Sequence, residues 1–396
     1  MKFLGYIKKI TRSCCVFIDR VVYEFFKRFT KIDKRLIIFE GTTAGRFDES
    51  SWVLYHYLRK KNIYRFVWMV KDVKRFTPTN DTIFTSRFHH TFNIMADYYY
   101  AKAAYSFYTH TTSPIKYKRN GQKKIFMGHG YAIKGDKGNS RIAYNNFDYG
   151  LAMGEDAIAT QAIFVGCEEH ELLPLGLPRN DLLLKHNGCG LDNPLVKEGH
   201  YKKVIIWMPT FRDSKNQMLS EKSCVTDTGL PLIDTESKMN ALNRFLEEHA
   251  CLIILKVHRL QLKKKVFEIK FSNILIVTEN DIDNLGCQLY ETIGYSDALL
   301  TDYSSVSIDY LLLDKPIGYI LSDMEYYKAD RGFVLNNPLD VMAGDYIYNE
   351  DDLRRFILNV IDDIDDFSQQ RSILVKKLHA ASKGNSCSLI ESRLEL

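Results

Sequence analysis

Short β-rich apolar runs recur along this chain, and a helix-length pattern or a polar stretch separates most of them from the next. Leu36–Phe39, Phe66–Val70, Thr82–Thr85, Ala104–Tyr108, Lys124–Met127 and Tyr149–Ala152 form a first set. Val204–Met208, Leu252–Val257, Ile274–Val277, Ala298–Thr301 and Ile317–Ile320 form a second. Strands buried on both faces read as continuous apolar runs, and parallel neighbours need a crossover of about a dozen residues between them. Helical patterns supply several crossovers: Ser51–Lys61, with Trp52, Leu54, Tyr55 and Leu58 on one face, then His90–Lys102, Thr235–His249, Cys287–Tyr295 and Ser304–Leu313. The alternation predicts an α/β chain of two successive doubly wound parallel sheets facing across a cleft. Asn187–His200 and Ser214–Gly229 read as loops, and Asp351–Ala381 as a helical stretch that Ser382–Ser388 breaks. At 396 residues and 45% hydrophobic content, two cores are affordable in length and composition.

Ligands of open α/β sheets bind beyond the carboxyl ends of the strands, so residues just after the predicted strands carry the chemistry. After Ala298–Thr301 come Asp302-Tyr303-Ser304-Ser305 and the apolar positions Val306, Ile308, Tyr310, Leu311 and Leu312. Unpaired N–H groups at such a helix start suit a phosphate, while the same residues can equally cap a helix in any α/β protein. After Lys124–Met127 comes Gly128-His129-Gly130 with Lys134 close behind; flanking glycines leave an imidazole uncovered, and imidazole is the usual acceptor of a hydroxyl proton. His56, His170 and His379 lack such flanks and read as structural. Thr210 and Arg212 follow another strand, and Lys256, His258 and Arg259 lie at the end of a third. Cationic and hydroxyl donors of this kind stabilise the negative charge on a departing phosphate. Together these strand-end groups fit a nucleotide-diphosphate pocket.

Other chemistries are excluded by what is missing from the sequence. No Gly-x-Gly-x-x-Gly, Gly-x-x-x-x-Gly-Lys-Ser/Thr or Gly-x-Ser-x-Gly follows a strand. Asp281-Ile-Asp283 precedes a helix instead of following a strand, so catalysis is expected to need no protein-bound metal and no cofactor. Eight cysteines without a Cys-x-x-Cys pair indicate reduced thiols. The net charge is +5, but residues 1–35 hold ten Lys/Arg against Asp19, Glu24 and Asp33, which leaves the remainder slightly acidic and argues against nucleic acid as a partner. Within that segment Phe3, Ile7, Ile10, Cys14, Phe17, Val21 and Phe25 recur at three- and four-residue steps, the pattern of a basic amphipathic helix. Such a helix packs on its own domain or lies on an anionic leaflet. Each cation near that surface contributes about 1 kcal/mol, which favours the leaflet. Ser13–Ile18 is the longest uncharged run there, too short for a spanning helix or a signal peptide.

With these residues in view, the chain resembles the CDP-glycerol glycerophosphotransferase family, the teichoic-acid primases and polymerases and their capsule-synthesis relatives. The resemblance runs from about Leu36 to about Phe333, carried by Phe39-Glu-Gly-Thr-Thr-Ala-Gly45, Tyr64-Arg-Phe-Val-Trp68, His129-Gly130 with Lys134, and Leu175-Gly-Leu-Pro-Arg-Asn-Asp-Leu-Leu183. Met208-Pro-Thr-Phe-Arg-Asp213, Leu255-Lys-Val-His258 and Leu300-Thr-Asp-Tyr-Ser-Ser305 through Arg331-Gly-Phe333 continue it in the family's order. It implies a GT-B-like fold: residues 1–35 a membrane-associating helix, 36–178 an acceptor-side domain, and 179–396 a donor domain with C-terminal helices. It implies transfer of glycerol phosphate or ribitol phosphate from a CDP-alditol to a hydroxyl of a lipid-linked, undecaprenyl-type acceptor, releasing CMP at the cytoplasmic face of the membrane. His129 and His258 are then catalytic. Thr210, Arg212, Lys256, Thr301, Asp302, Ser304, Ser305 and Asp309 hold the donor, Gly130 and Lys134 lie on the acceptor side, and Arg179, Asn180 and Asp181 serve a phosphate or a domain hinge. Tyr131 and Arg259 depart from the family pattern, which has a small hydroxyl residue and a proline there. The alternative is a GT-B glycosyltransferase using a nucleotide sugar in surface polysaccharide synthesis.

Overall fold

The computed structural model describes the chain apart from residues 1, 41–48, 87–91, 110–117, 136–146, 198, 211–226, 258–261, 263 and 331, and gives the backbone alone for 2–14, 16, 49 and 330. Helix α1 (Lys2–Phe29) leads into strand β1 (Asp33–Glu40), followed by α2 (Glu49–Arg59), β2 (Arg65–Val70), β3 (Thr82–Ser86) and α3 (Ile94–Lys102). Then come β4 (Ala103–Tyr108), β5 (Lys123–Phe126), β6 (Tyr149–Ala152), α4 (Ile158–Val165) and β7 (Leu172–Pro174). These seven strands form one parallel sheet in the order β3-β2-β1-β4-β5-β6-β7. Ile37, Ile38 and Phe39 are fully buried although successive side chains point to opposite faces, which requires cover on both sides of the sheet. Phe39 stacks on Trp68 and Phe107 at 5.1 and 5.4 Å, tying three adjacent strands on one face.

Helix α5 (Pro178–Lys185) joins this unit to the second: β8 (Lys203–Trp207), α6 (Glu236–Glu248), β9 (Cys251–Lys256), β10 (Ile274–Val277), α7 (Glu279–Asn284) and α8 (Leu289–Gly294). It continues through β11 (Ala298–Thr301), α9 (Val306–Tyr310), β12 (Ile317–Ile320), α10 (Met324–Asp330) and β13 (Asp345–Ile347). The chain ends with α11 (Glu350–Ile361), α12 (Ser368–Leu378) and α13 (Ser386–Leu394). The second sheet is also parallel, in the order β10-β9-β8-β11-β12-β13. The chain therefore folds as two parallel-sheet α/β units, each strand expected from sequence lying within one to three residues of its place.

Three features depart from the sequence reading. Strands β7 and β13 are edge strands of three residues, too short to show a pattern. The helical stretch Asp351–Ala381 is two helices, because Asp363 turns left-handed at φ 56 and ends the first. Arg371 of α12 is fully buried, its guanidinium held between Asp314 and Asp365. The supposed break at Ser382–Ser388 contains the start of α13, where the Asp181 carboxylate accepts from the Ser386 and Cys387 amides, both at 2.8 Å. Helix α13 lies against the first unit: Tyr57 donates to Glu391 at 2.7 Å and Tyr105 to the Leu394 carbonyl at 3.1 Å. The end of the chain thus crosses back over both units, and the buried His379 ring makes a 2.8 Å contact with the Ile308 carbonyl on the way.

Helix α1 packs through Asp19, Tyr23 and Phe26. Tyr23 is fully buried and donates to Gln122 at 3.1 Å, and Phe26 meets Tyr98 of α3 edge to face at 5.3 Å. The Arg119 guanidinium donates to the Lys27 and Thr30 carbonyls, each at 2.7 Å, and closes the helix's C-terminal end. A different row faces outward: Phe17, Val21, Phe25 and Phe29, four residues apart, are 68%, 53%, 58% and 69% exposed. No described helix is long and apolar enough to cross a membrane.

Candidate active site

In the second sheet the strand order reverses between β8 and β11, and the segments leaving those two strands are bonded to each other. Thr210 donates to Asp302 through both its backbone amide, at 2.9 Å, and its hydroxyl, at 2.5 Å. The Thr301 hydroxyl donates to the Met208 carbonyl at 2.8 Å. Thr210, Thr301 and Asp302 are buried, and these bonds tie the two strand ends together at the switch point. Tyr303 is fully buried in an aromatic cluster with Tyr327 and Phe333, at 4.3 and 5.3 Å, and donates to Asp323 at 3.0 Å. Ser304 and Ser305 are half-buried by contrast, and neither caps α9: Ser305 is already helical at φ -60 and its side chain makes no capping bond. The Ser305 hydroxyl instead reaches the His129 carbonyl at 3.4 Å, across from the first unit.

His129 follows β5 in a turn that only glycines on either side permit. Gly128 has φ +69 and Gly130 φ +106, and a Cβ on Gly130 would lie 2.4 Å from Arg179 Nη2 and 3.4 Å from the Ser305 side chain. Arg179, in the first turn of α5, is 4% exposed; its Nη2 donates to the His129 carbonyl at 2.8 Å and to Asp309 at 2.6 Å. Its guanidinium also lies over the Tyr290 ring, 4.8 Å from the centroid. Asp309 is fully buried and further accepts from Asn180 at 3.0 Å and from the Tyr290 hydroxyl at 2.6 Å. The Arg179-Asn180-Asp181 run thus faces three ways, to the histidine turn, to Asp309 of α9 and to the start of α13. Asp309, expected from sequence to hold the donor, accepts from Arg179, Asn180 and Tyr290 within the protein.

A second seam joins the histidine loop to the other unit. Gly135 donates to the Gly332 carbonyl at 2.9 Å, Val334 to the Ile133 carbonyl at 3.0 Å, and Lys134 bridges Phe333 between them. Tyr131 turns the other way: its side chain is buried, its hydroxyl contacts Thr160 at 3.3 Å, and burial raises its pKa. Its bulk is therefore spent on the interior of the first unit. Lys256 closes β9 with an ion pair to Glu279 at 2.6 Å. Arg212, His258 and Arg259 lie outside the described residues. The fold therefore brings together His129, Gly130, Arg179, Ser305 and Asp309, from segments up to 180 positions apart. Tyr290 and Glu279, which complete two of the contacts, carried no signal in sequence because their partners lie 19 and 23 residues away in other elements.

A family model described as CDP-glycerol:poly(glycerophosphate) glycerophosphotransferase matches residues 22–395. The chain is 29% identical over 213 residues to a teichoic acid glycerol-phosphate primase of Bacillus subtilis, covering 53% of this chain and 49% of that one. It is 25% identical over 346 residues to a teichoic acid poly(glycerol phosphate) polymerase of Staphylococcus epidermidis, covering 82% and 45%. The chain thus spans about half the length of these two relatives. The solved wall teichoic acid polymerase TagF superposes with a TM-score of 0.75 at 20% identity, over 100% of this chain and 98% of that one.

Proposed function

The chain belongs to the CDP-glycerol:poly(glycerophosphate) glycerophosphotransferase family, and from that premise we propose that it moves an alditol phosphate from a CDP-alditol to a hydroxyl of a lipid-linked acceptor. The observation that carries this reading is the meeting of two strand-end turns from opposite units, with Ser305 within hydrogen-bonding reach of the His129 main chain. In the proposed step the acceptor oxygen attacks the phosphorus that bears the alditol, and a new P–O bond forms. The bond from that phosphorus to the bridging oxygen breaks, and CMP leaves with the electron pair. The acceptor proton passes to the His129 imidazole. Half-exposed hydroxyls at Ser304 and Ser305 face the diphosphate being cleaved and the phosphate of the departing CMP, joined by His258 and Arg212 on the family pattern. Gly130 and Lys134 border the acceptor side, while Arg179, Asn180 and Asp309 hold the histidine turn against the donor unit.

Glycerol phosphate and ribitol phosphate both suit this scheme, and the donor unit comprises the second sheet. The nucleotide-sugar alternative is not favoured, because the relatives are named for glycerol-phosphate and ribitol-phosphate transfer. A lipid-linked acceptor must be met at a membrane, and the amphipathic α1, with its exposed Phe17, Val21, Phe25 and Phe29, is the proposed means of peripheral attachment at the cytoplasmic face. The test is CMP release by the purified protein supplied with CDP-glycerol or CDP-ribitol and a lipid-linked acceptor. His129→Ala is expected to abolish release with the unfolding midpoint unchanged; full activity in that variant would refute the assignment.

A further inference from the structure

A groove of about 570 Å³ opens where α1 ends and β1 begins, lined by Phe29, Thr30, Lys31, Lys34, Arg35 and Lys102 among others. It lies at the amino end of β1, the opposite end from the cleft. Four of its side chains are cations, and among the described residues Lys31, Lys34 and Arg35 are exposed and have no carboxylate partner. Lys102 donates to the Tyr98 hydroxyl at 3.2 Å, with its ammonium 5.5 Å from the Tyr98 ring centroid. The groove's single carboxylate, Asp33, is already engaged: Arg65 pairs with one oxygen, and the Arg35 amide donates to the other at 3.0 Å. The groove is therefore a concentration of uncompensated positive charge on a folded, partly aromatic wall.

The wall continues into an apolar surface. Phe29 lines the groove and is also the last member of the outward row Phe17, Val21, Phe25 and Phe29, all more than half exposed. A basic hollow roomy enough for a headgroup, at the end of an apolar ridge, has the chemistry of a phospholipid, one part for the headgroup and the other for the acyl chains. A polyanion free in solution would match the hollow and have no use for the ridge. We infer that the groove at the start of β1 binds the headgroup phosphate of an anionic phospholipid through Lys31, Lys34, Arg35 and Lys102, with the Phe17 to Phe29 row in the acyl layer. This rests on the membrane-attachment part of the proposed function and gives it a specific headgroup seat.

The test is flotation of the full chain with vesicles of phosphatidylcholine alone or mixed with phosphatidylglycerol. The wild type is expected to prefer the anionic vesicles. K31Q/K34Q/R35Q should lose about a hundredfold of that preference, at about fivefold per cation, and keep its partition onto neutral vesicles. K376Q/K377Q/K383Q, which removes the same charge from exposed sites on and after α12, should change nothing; an equal loss there would overturn the inference. Wild-type partition by the groove variant would overturn it too, and V21S/F25S then separates the two readings. If that second variant detaches, membrane attachment stands without the headgroup seat; if it also floats normally, both fail. Displacement of the wild type from anionic vesicles by soluble glycerol phosphate would mean that the groove takes a free phosphate, and would refute the lipid as occupant. Thermal unfolding of each variant at the wild-type midpoint verifies that folding is intact.

Discussion

Replacing Arg179 by methionine removes the cation that ties the histidine turn to Asp309. Arg179 is 4% exposed and Asp309 fully buried, so the relevant scale is that of a desolvated pair, not the fraction of a kcal/mol typical of surface pairs. Removing one partner of such a pair costs about 3–5 kcal/mol, because the remaining charge stays buried without compensation. Asp309 would keep the Asn180 and Tyr290 donors, at 3.0 and 2.6 Å, and no counter-charge among these contacts. The His129 carbonyl would lose its 2.8 Å donor, adding about 1 kcal/mol. Against a typical total of about 5–15 kcal/mol, the denaturant midpoint should fall by about a quarter or more at little change in slope. Adding D309N removes the stranded charge and should recover at least about 2 kcal/mol, a coupling that a double-mutant cycle reads directly. Turnover should drop further than CDP-glycerol affinity, since the same guanidinium fixes the His129 turn. A cost below about 1 kcal/mol for R179M, or additivity within about 0.5 kcal/mol in the double variant, would refute the proposed role of the pair.

Three further outcomes follow from individual sites. Gly130→Ala should destabilise by about 1–3 kcal/mol and depress CMP release, because the left-handed backbone is strained for any side chain and the new Cβ would sit 2.4 Å from Arg179; unchanged unfolding and turnover would contradict the geometry. Ser304→Ala with Ser305→Ala should weaken CDP-glycerol binding in calorimetry while leaving the unfolding midpoint nearly fixed, since neither hydroxyl caps α9. His56 packs between Trp52 and Tyr55, at 4.1 and 4.9 Å between ring centroids, and burial, helped by Arg59 and Lys60, lowers its pKa to about 4. Its neutral form belongs to the folded state, so the contribution is full above about 6.5 and is lost as pH falls from there towards 4. Unfolding midpoints measured from pH 7 down to pH 4 should fall less steeply in His56→Phe than in the wild type.

What the sequence revealed tracks how local each determinant is. Runs such as Ile37–Phe39 and Ala298–Thr301 are apolar on both faces because both faces are covered, so their positions were legible without any partner in view. Edge strands β7 and β13 carry three residues each and no periodicity. The left-handed Asp363 that divides α11 from α12 is one of four aspartates in residues 362–366, so the sequence does not single it out. The site divides along the same line: the glycines around His129 announce the turn, whereas the buried contacts of Arg179 with Asp309 and of Asp181 with α13 span 130 and about 205 positions. Thr210, Thr301 and Asp302 were placed correctly at strand ends, but their bonds to one another and to neighbouring main chain appear only once β8 and β11 are adjacent.

Strand β1 also measures a distance. From Asp33 to Glu40 its eight residues extend about 23 Å at about 3.3 Å per residue, with the cationic groove at one end and the cleft beyond the other. On the proposed function, an acceptor whose lipid stays in the membrane met by that groove would present its growing tip at the cleft only after clearing that span. Acceptors shorter than this ruler would have to leave the headgroup plane to react, so the two proposals together make acceptor length, independently of its terminal chemistry, a variable of the reaction.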